Sequence, residues 1–141
     1  MSDPSIEVAV ARLRAAMADV ANSDTAAIKA LYEHSDNATS FYGWGGYERG
    51  WAAVDKRWDW AGQQFKGGTV AYQPLTRVAG GDLFYETVIE TFTCRMAGKD
   101  EAVTWSNRVT HIFRQSNGEW RLIHRHANRL EGQYQPGGRL G

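Results

Sequence analysis

The sequence predicts an α+β fold, with N-terminal helices packed over the concave face of a curved, mainly antiparallel β-sheet to form a cone-shaped barrel. Three observations lead there. Apolar residues recur at helical spacing from Ile6 up to Phe65. From Thr69 onward the pattern changes to runs rich in β-branched and aromatic residues, the habit of strands. Near the C-terminus, two strand-length runs, Val109–Phe113 and Trp120–His126, flank Asn117-Gly118, a pair that tolerates the positive φ of a tight reversal.

Taken in order, Ser2 or Asp3 caps a first helix that admits Pro4 in its opening turn, where the N–H groups lack partners anyway. Its stripe is Ile6, Val10, Leu13, Met17 and Val20, running to about Asn22. Asp24 caps a second, short helix with Ala27, Ile28, Leu31 and Tyr32 on one face, ending near His34–Asp36. Thr39–Tyr42 reads as a short strand that Gly43, Gly45 and Gly46 break into a loop. A third helix is expected from about Glu48, with Trp51, Val54, Trp58, Ala61 and Phe65 on its stripe and Gly67-Gly68 as its stop. An antiparallel meander of four strands follows. The first is Thr69–Val78, where Pro74 marks a bend or an edge, and the next two are Leu83–Met96 and Val103–Arg114. The last runs from Glu119 to about Asn128. Residues 1–131 are expected to form one domain, and 132–141, rich in glycine, a flexible tail.

Hydrophobic content of 43% and charged content of 23% argue against disorder. Sixteen basic residues balance sixteen acidic ones, so the chain lacks the field that gathers nucleic acid or an anionic membrane, and neither partner is expected. The balance is uneven, with six arginines against two glutamates from Ser106 onward. Cys94 alone forms no internal disulfide and fits a reducing compartment. With no leader and no run of transmembrane length, the expected location is cytoplasmic.

The segments GGTVAYQPL, GGDLFYETVIET, RVTHIFRQSNGEWRLIHRHAN and, upstream, YGWGGYERGWAAV resemble the SnoaL-like branch of the nuclear-transport-factor-2-like superfamily. Members of that branch are often described as ketosteroid-isomerase homologues or polyketide-cyclase-like proteins. The resemblance runs from about Asp24 to Leu130, and the ending R-x-T-x-x-F-R…G-x-W-R-x-x-H-x-H-A is its most specific part. It implies the cone-shaped barrel and a homodimer built through the outer sheet. It does not imply one reaction: relatives include isomerases, cyclases, epoxide hydrolases, dehydratases and non-catalytic assembly domains.

Within that frame the candidate residues carry two readings each. His111 shares a strand face with Val103, Trp105, Asn107, Val109 and Phe113, so it is either a proton carrier in the cavity or a hydrogen-bonded core histidine. Glu86 and Glu90 share a face with Val88, Phe92 and Cys94. Facing the core, they are desolvated acid–base groups; facing solvent or a dimer partner, they pair with Arg108 or Arg125. Asp36 follows the second helix, where relatives carry acids near their pockets, though a turn role is the simpler account. The tyrosine and two aspartates of ketosteroid isomerases have no full counterpart in this chain.

His124 and His126 lie two apart on one strand and shape either the pocket or the dimer surface. No carboxylate or cysteine joins them at ligand spacing, so no metal is expected. The aromatics point most directly to a ligand. Trp58 and Trp51 sit on the helix stripe, while Tyr42, Trp44 and Trp60 suit the mouth of a pocket, and Tyr85, Trp105 and Asn107 complete the expected lining. Gly43–Gly46 lacks the lysine and spacing of a phosphate loop. The expectation is a small, largely apolar or aromatic ligand in the cone, with acid–base isomerase, cyclase or dehydratase chemistry and no cofactor. The alternative is a non-catalytic binding or self-association module that uses the sheet face.

Overall fold

The computed structural model describes residues 3–132 and 137–139. Its elements are α1 (Pro4–Val20), α2 (Ala26–Leu31), β1 (Thr39–Phe41), β2 (Tyr47–Arg49), α3 (Trp51–Ala61), β3 (Phe65–Gly80), β4 (Leu83–Met96), β5 (Ala102–Ser116) and β6 (Glu119–Arg129). The strands form one curved, unclosed sheet in the order β2-β1-β6-β5-β4-β3, with the helices against it, which is the α+β cone the sequence predicts.

Asp3 caps α1: its carboxylate accepts the Ser5 N–H at 2.9 Å, and Pro4 takes the first helical position. Ser2, the other expected cap, lies outside the described residues, as do 133–136 and 140–141 of the expected tail. The α1 stripe is buried and packs on β3 and β6. The second helix ends earlier than expected, at Leu31. Tyr32 already has extended backbone (φ −65°, ψ 150°) and bridges to Leu122, so the chain leaves the helix to reach the sheet.

Two differences reshape the middle of the chain. The stretch expected to open the third helix at Glu48 is instead β2, which pairs with β1 across a turn closed by Tyr42 N–H to Gly46 O. Gly45 (φ 104°) and Gly46 (φ 73°) supply the positive φ that this turn requires. Helix α3 therefore starts at Trp51 and stops at Ala61, where the Gly62 N–H reaches Trp58 O at 3.0 Å. Gly67-Gly68, expected as its stop, lies inside β3. A Cβ on Gly68 would stand 2.2 Å from the Cys94 Cβ, so only glycine lets β3 approach β4 there. The register shifts between Lys66 and Thr69 at the same point.

The sheet is larger than the expected four-strand meander, because β1 adds in parallel to β6, pairing Thr39 with His124 and Phe41 with His126. The β3 strand is the far edge and carries a second irregularity between Pro74 and Thr76, as a proline inside a strand requires. The β5–β6 loop, expected to span Arg114–Glu119, shrinks to two residues with positive φ, Asn117 (53°) and Gly118 (78°), between the Ser116–Glu119 pair.

One irregularity decides which side chains enter the cone. Between β5 and β6 the register shifts at Ile112/Phe113, so Phe113 pairs with Leu122 while Ile112 pairs with His124. The extra residue, Ile123, reverses the parity of β6. Trp120 and Leu122 are buried before it, Arg125 and Ala127 after it, and His124 and His126 turn to the outer face.

Candidate functional site

The inner face of the sheet carries, besides Ser40 on β1, one polar group of neighbours: Glu86, Glu90, Asn107, His111 and Arg125, each at most 5% exposed. Strand register brings them together, since Glu86 stands opposite His111, His111 opposite Arg125, and Glu90 opposite both Tyr72 and Asn107. Such groups are costly to bury unless paired. Each charged member is paired, in a chain that starts on α1. Arg14 donates two bonds to Glu86 at 2.8 and 2.6 Å. Glu86 accepts the His111 Nδ1–H at 2.8 Å, and His111 Nε2 accepts from Arg125 Nη1 at 2.8 Å. Arg125 grips Glu90 with both terminal nitrogens, at 2.9 and 2.7 Å, and the Tyr72 hydroxyl donates to Glu90 at 2.6 Å. The Arg14 guanidinium lies 4.1 Å over the Tyr72 ring and closes the circuit.

This arrangement fixes protonation states. Burial pushes the Glu90 carboxyl up, but the charge and hydrogen bonds of Arg125 outweigh it and the carboxyl stays below its usual range. Glu86 is likewise raised by burial, then held down to about 2 by hydrogen bonds from His111 and Arg14. Burial pushes His111 below the ordinary imidazole value, against the upward pull of Glu86. Two carboxylates, two guanidiniums and a neutral imidazole balance in charge.

Beside this network opens a cavity of about 130 Å³ between the helices, the β1–β2 turn and the sheet. Its walls are aromatic. Tyr42 stacks on Trp44 at 4.6 Å, Phe92 on Trp105 at 5.3 Å, and Trp44 meets Trp60 edge-on at 5.3 Å. Trp44 and Trp60, each about two-fifths exposed, form the rim, while Trp58 is fully buried. Three buried polar atoms on lining residues make no well-formed hydrogen bond among the described residues: the Tyr42 hydroxyl, which has only Ser40 near it, Trp58 Nε1, which has only Tyr32 near it, and Asn107 Oδ1. Gly43 permits the close approach of the turn, since a Cβ there would sit 3.2 Å from Asn107 Oδ1. Burial pushes the Tyr42 hydroxyl well above its usual pKa, so it is a hydrogen-bonding group and not a base.

A profile of the SnoaL-like domain matches residues 10–128. The chain belongs to the SnoaL-like family. Solved structures that this SnoaL-like chain resembles include an NTF2-like superfamily protein from Salmonella enterica, 18% identical with a TM-score of 0.79, covering 95% of this chain and 94% of that one. A dehydratase candidate of the NTF2-like family from Streptomyces avermitilis is 13% identical with a TM-score of 0.76 over 92% and 97% of the two chains. A ketosteroid isomerase-like protein from Erwinia carotovora is 14% identical with a TM-score of 0.75 over 92% and 96%. At these identities the likeness concerns the fold. No curated protein matches the sequence significantly.

Of the residues singled out in the sequence, the SnoaL-like cavity brings together Tyr42, Trp44, Trp58, Trp60, Trp105 and Asn107. His111, Glu86 and Glu90 do not line it; they stand in the sheet with their polar atoms engaged by one another and by Arg14, Arg125 and Tyr72. Glu90 does meet Arg125, but on the inner face and not toward solvent. Asp36 is exposed in the turn after α2, away from the lining. Tyr85 lies on the outer face of β4, and His124 and His126 on the outer face of β6, because of the extra residue at Ile123. His124 bonds Thr39 Oγ1 at 2.7 Å, and Phe41 packs edge-on against both histidines. Among the described residues no three His, Cys, Asp or Glu side chains gather as metal ligands, and no helix is long and apolar enough to cross a membrane. Sequence reasoning missed Arg125 and Arg129 as lining residues, and Arg14 and Tyr72 as members of the circuit behind Arg125. The alternation of arginine with histidine in β6 was the available signal, and the parity reversal concealed it.

Proposed function

We propose that this SnoaL-like domain binds a small, flat, largely apolar molecule in its cone, a ring with one hydrogen-bonding edge. One observation carries the reading: an aromatic cavity whose lining includes a buried acceptor, Asn107 Oδ1, with no partner among the described residues. A buried donor or acceptor left unmade costs about 1–3 kcal/mol. A ligand that donates to Asn107 Oδ1 recovers that cost and gains aromatic contact as well. Acid–base isomerase, cyclase or dehydratase chemistry has weaker support, because among the described residues no histidine or carboxylate lines the cavity to move a proton. What the wall offers a reacting molecule is hydrogen bonding from Tyr42, Trp58 and Asn107 and the guanidinium of Arg129, the charge of Arg125 being met by Glu90.

Titration with phenol and with toluene, followed by tryptophan fluorescence, tests the reading. Saturable binding of phenol, tighter than toluene, is expected, since both fill the aromatic walls but only phenol engages the polar atoms. Toluene binding as tightly as phenol, or neither binding, contradicts it.

A second reading, self-association as a homodimer through the sheet, is favoured by the outer face. Val78, Leu83 and Tyr85 are exposed together there, beside the hydroxyl pairs Thr76–Thr87 and Thr91–Ser106. Sedimentation of the chain and of Tyr85→Lys tests it: a dimer that the substitution dissociates supports this surface, and a monomer in both removes it.

A further inference from the structure

The charged groups in the cavity wall are of one sign. Arg125 and Arg129 line it, and among the described residues no Asp, Glu or His does. Arg125 is largely committed, giving three of its five N–H groups to Glu90 and His111, with the Glu90 charge cancelling its own. Arg129 is placed differently. It is exposed at the end of β6, its guanidinium sits 5.1 Å over the Trp105 ring, and it makes no ion pair among the described residues. Its register partner is Asn107, the residue whose buried amide oxygen lacks a donor. An unfilled acceptor and an uncommitted guanidinium therefore stand side by side across two strands, on the same wall.

We infer that the ligand of this cavity is a single-ring aromatic acid with a ring hydroxyl, an anion of the hydroxybenzoate class. The inference rests on the binding reading above and adds the charge and the second polar group. The aromatic walls take the ring. Asn107 Oδ1 accepts a hydrogen bond from the ring hydroxyl, and Arg129 at the open end takes the carboxylate, which its planar fork matches with two parallel hydrogen bonds. The Trp105 ring seats that fork, and although Glu131 lines a neighbouring surface depression, no acid among the described residues forms an ion pair with it. The cavity, about 130 Å³ beside the about 150 Å³ of one that binds benzene, has room for no more than the ring, which leaves the carboxylate at the open end. An ammonium ligand would meet two guanidiniums and no anion.

Calorimetric titration of the full chain with the monohydroxybenzoate isomers and the matching hydroxybenzamides tests this. A hydrogen bond to a charged group corresponds to about a tenfold preference for the acid over its amide, and that preference is expected for at least one isomer. Arg129→Gln, with its fold checked by circular dichroism, lowers the affinity of the acid to that of the amide, and added salt weakens the acid selectively. Equal binding of acid and amide overturns the inference and leaves the cavity reading standing. An acid preference that survives Arg129→Gln also overturns it. No binding of either compound removes the inference together with the reading beneath it.

Discussion

His111 accepts a hydrogen bond from Arg125 through Nε2, at 2.8 Å, while its Nδ1 donates to Glu86 at the same distance. A guanidinium has no lone pair to offer and an ionised carboxylate has no proton, so this pattern requires one neutral tautomer, with the proton on Nδ1. The imidazole is thus a connector that transmits orientation from Glu86 to Arg125, and Arg125 is the member of the circuit that reaches the cavity.

The first prediction concerns acid. With its pKa depressed by burial, His111 takes up a proton less readily folded than unfolded. Its contribution to stability is therefore fully present above the ordinary value of 6.5 and is lost as pH falls through the folded value. Glu86 adds a second loss lower down, from 4.5 towards about 2. Urea unfolding compared at about pH 7 and about pH 5 is expected to show a fall in stability. His111→Gln, which keeps one donor and one acceptor without titrating, should reduce that fall. An undiminished fall in the variant would place the pH dependence elsewhere.

Arg125 and Glu90 form a buried pair, 6% and 0% exposed at their side chains. Removing the cation alone, as Arg125→Met, strands the carboxylate and is expected to cost about 3–5 kcal/mol in denaturant unfolding. The double variant Arg125→Met, Glu90→Leu removes both charges and should recover much of that loss. Additive losses in the double variant would mean that the two residues act independently.

Asn107 is the place where stability and binding should part. Its amide oxygen is buried without a partner, so Asn107→Leu removes an unmet acceptor. The expected outcome is an unchanged or higher unfolding midpoint together with loss of phenol binding. A lower midpoint with binding retained would show that the amide serves the fold and not a ligand.

Gly68 faces the Cys94 Cβ and the Thr93 carbonyl oxygen, at 2.2 and 2.7 Å from where a Cβ would be. Gly68→Ala must push β3 away from β4, and overpacking of this kind costs about 1–3 kcal/mol. Denaturant unfolding reads it directly. A neutral substitution would mean that the β3 bulge yields freely.

The sequence was most legible where alternation is uninterrupted. The β4 strand has the expected limits Leu83–Met96, and the inward face of β5, from Trp105 through Asn107 and His111 to Phe113, follows its parity because the β4–β5 register never shifts. In β6 one extra residue without glycine or proline to mark it exchanged the faces of Arg125 and the His124/His126 pair. Gly67-Gly68 misled for a related reason: a glycine needed for close strand approach looks, in sequence, like one that ends a helix. The β2 strand was hidden by its length, since three residues carry no periodicity. The bond from Arg14 to Glu86 joins residues far apart in the chain, and helical spacing does not announce it.

The central claim is that a small ring with a polar edge sits inside the cone. Its most direct test is the ¹⁵N–¹H spectrum of the protein titrated with phenol, with the Asn107 side-chain amide and the Trp58 indole assigned by substitution. Saturable shifts of these two signals, with His126 and Tyr85 on the outer face undisturbed, are the predicted result. Saturation without any change at Asn107 and Trp58, or shifts confined to the outer face, would contradict it.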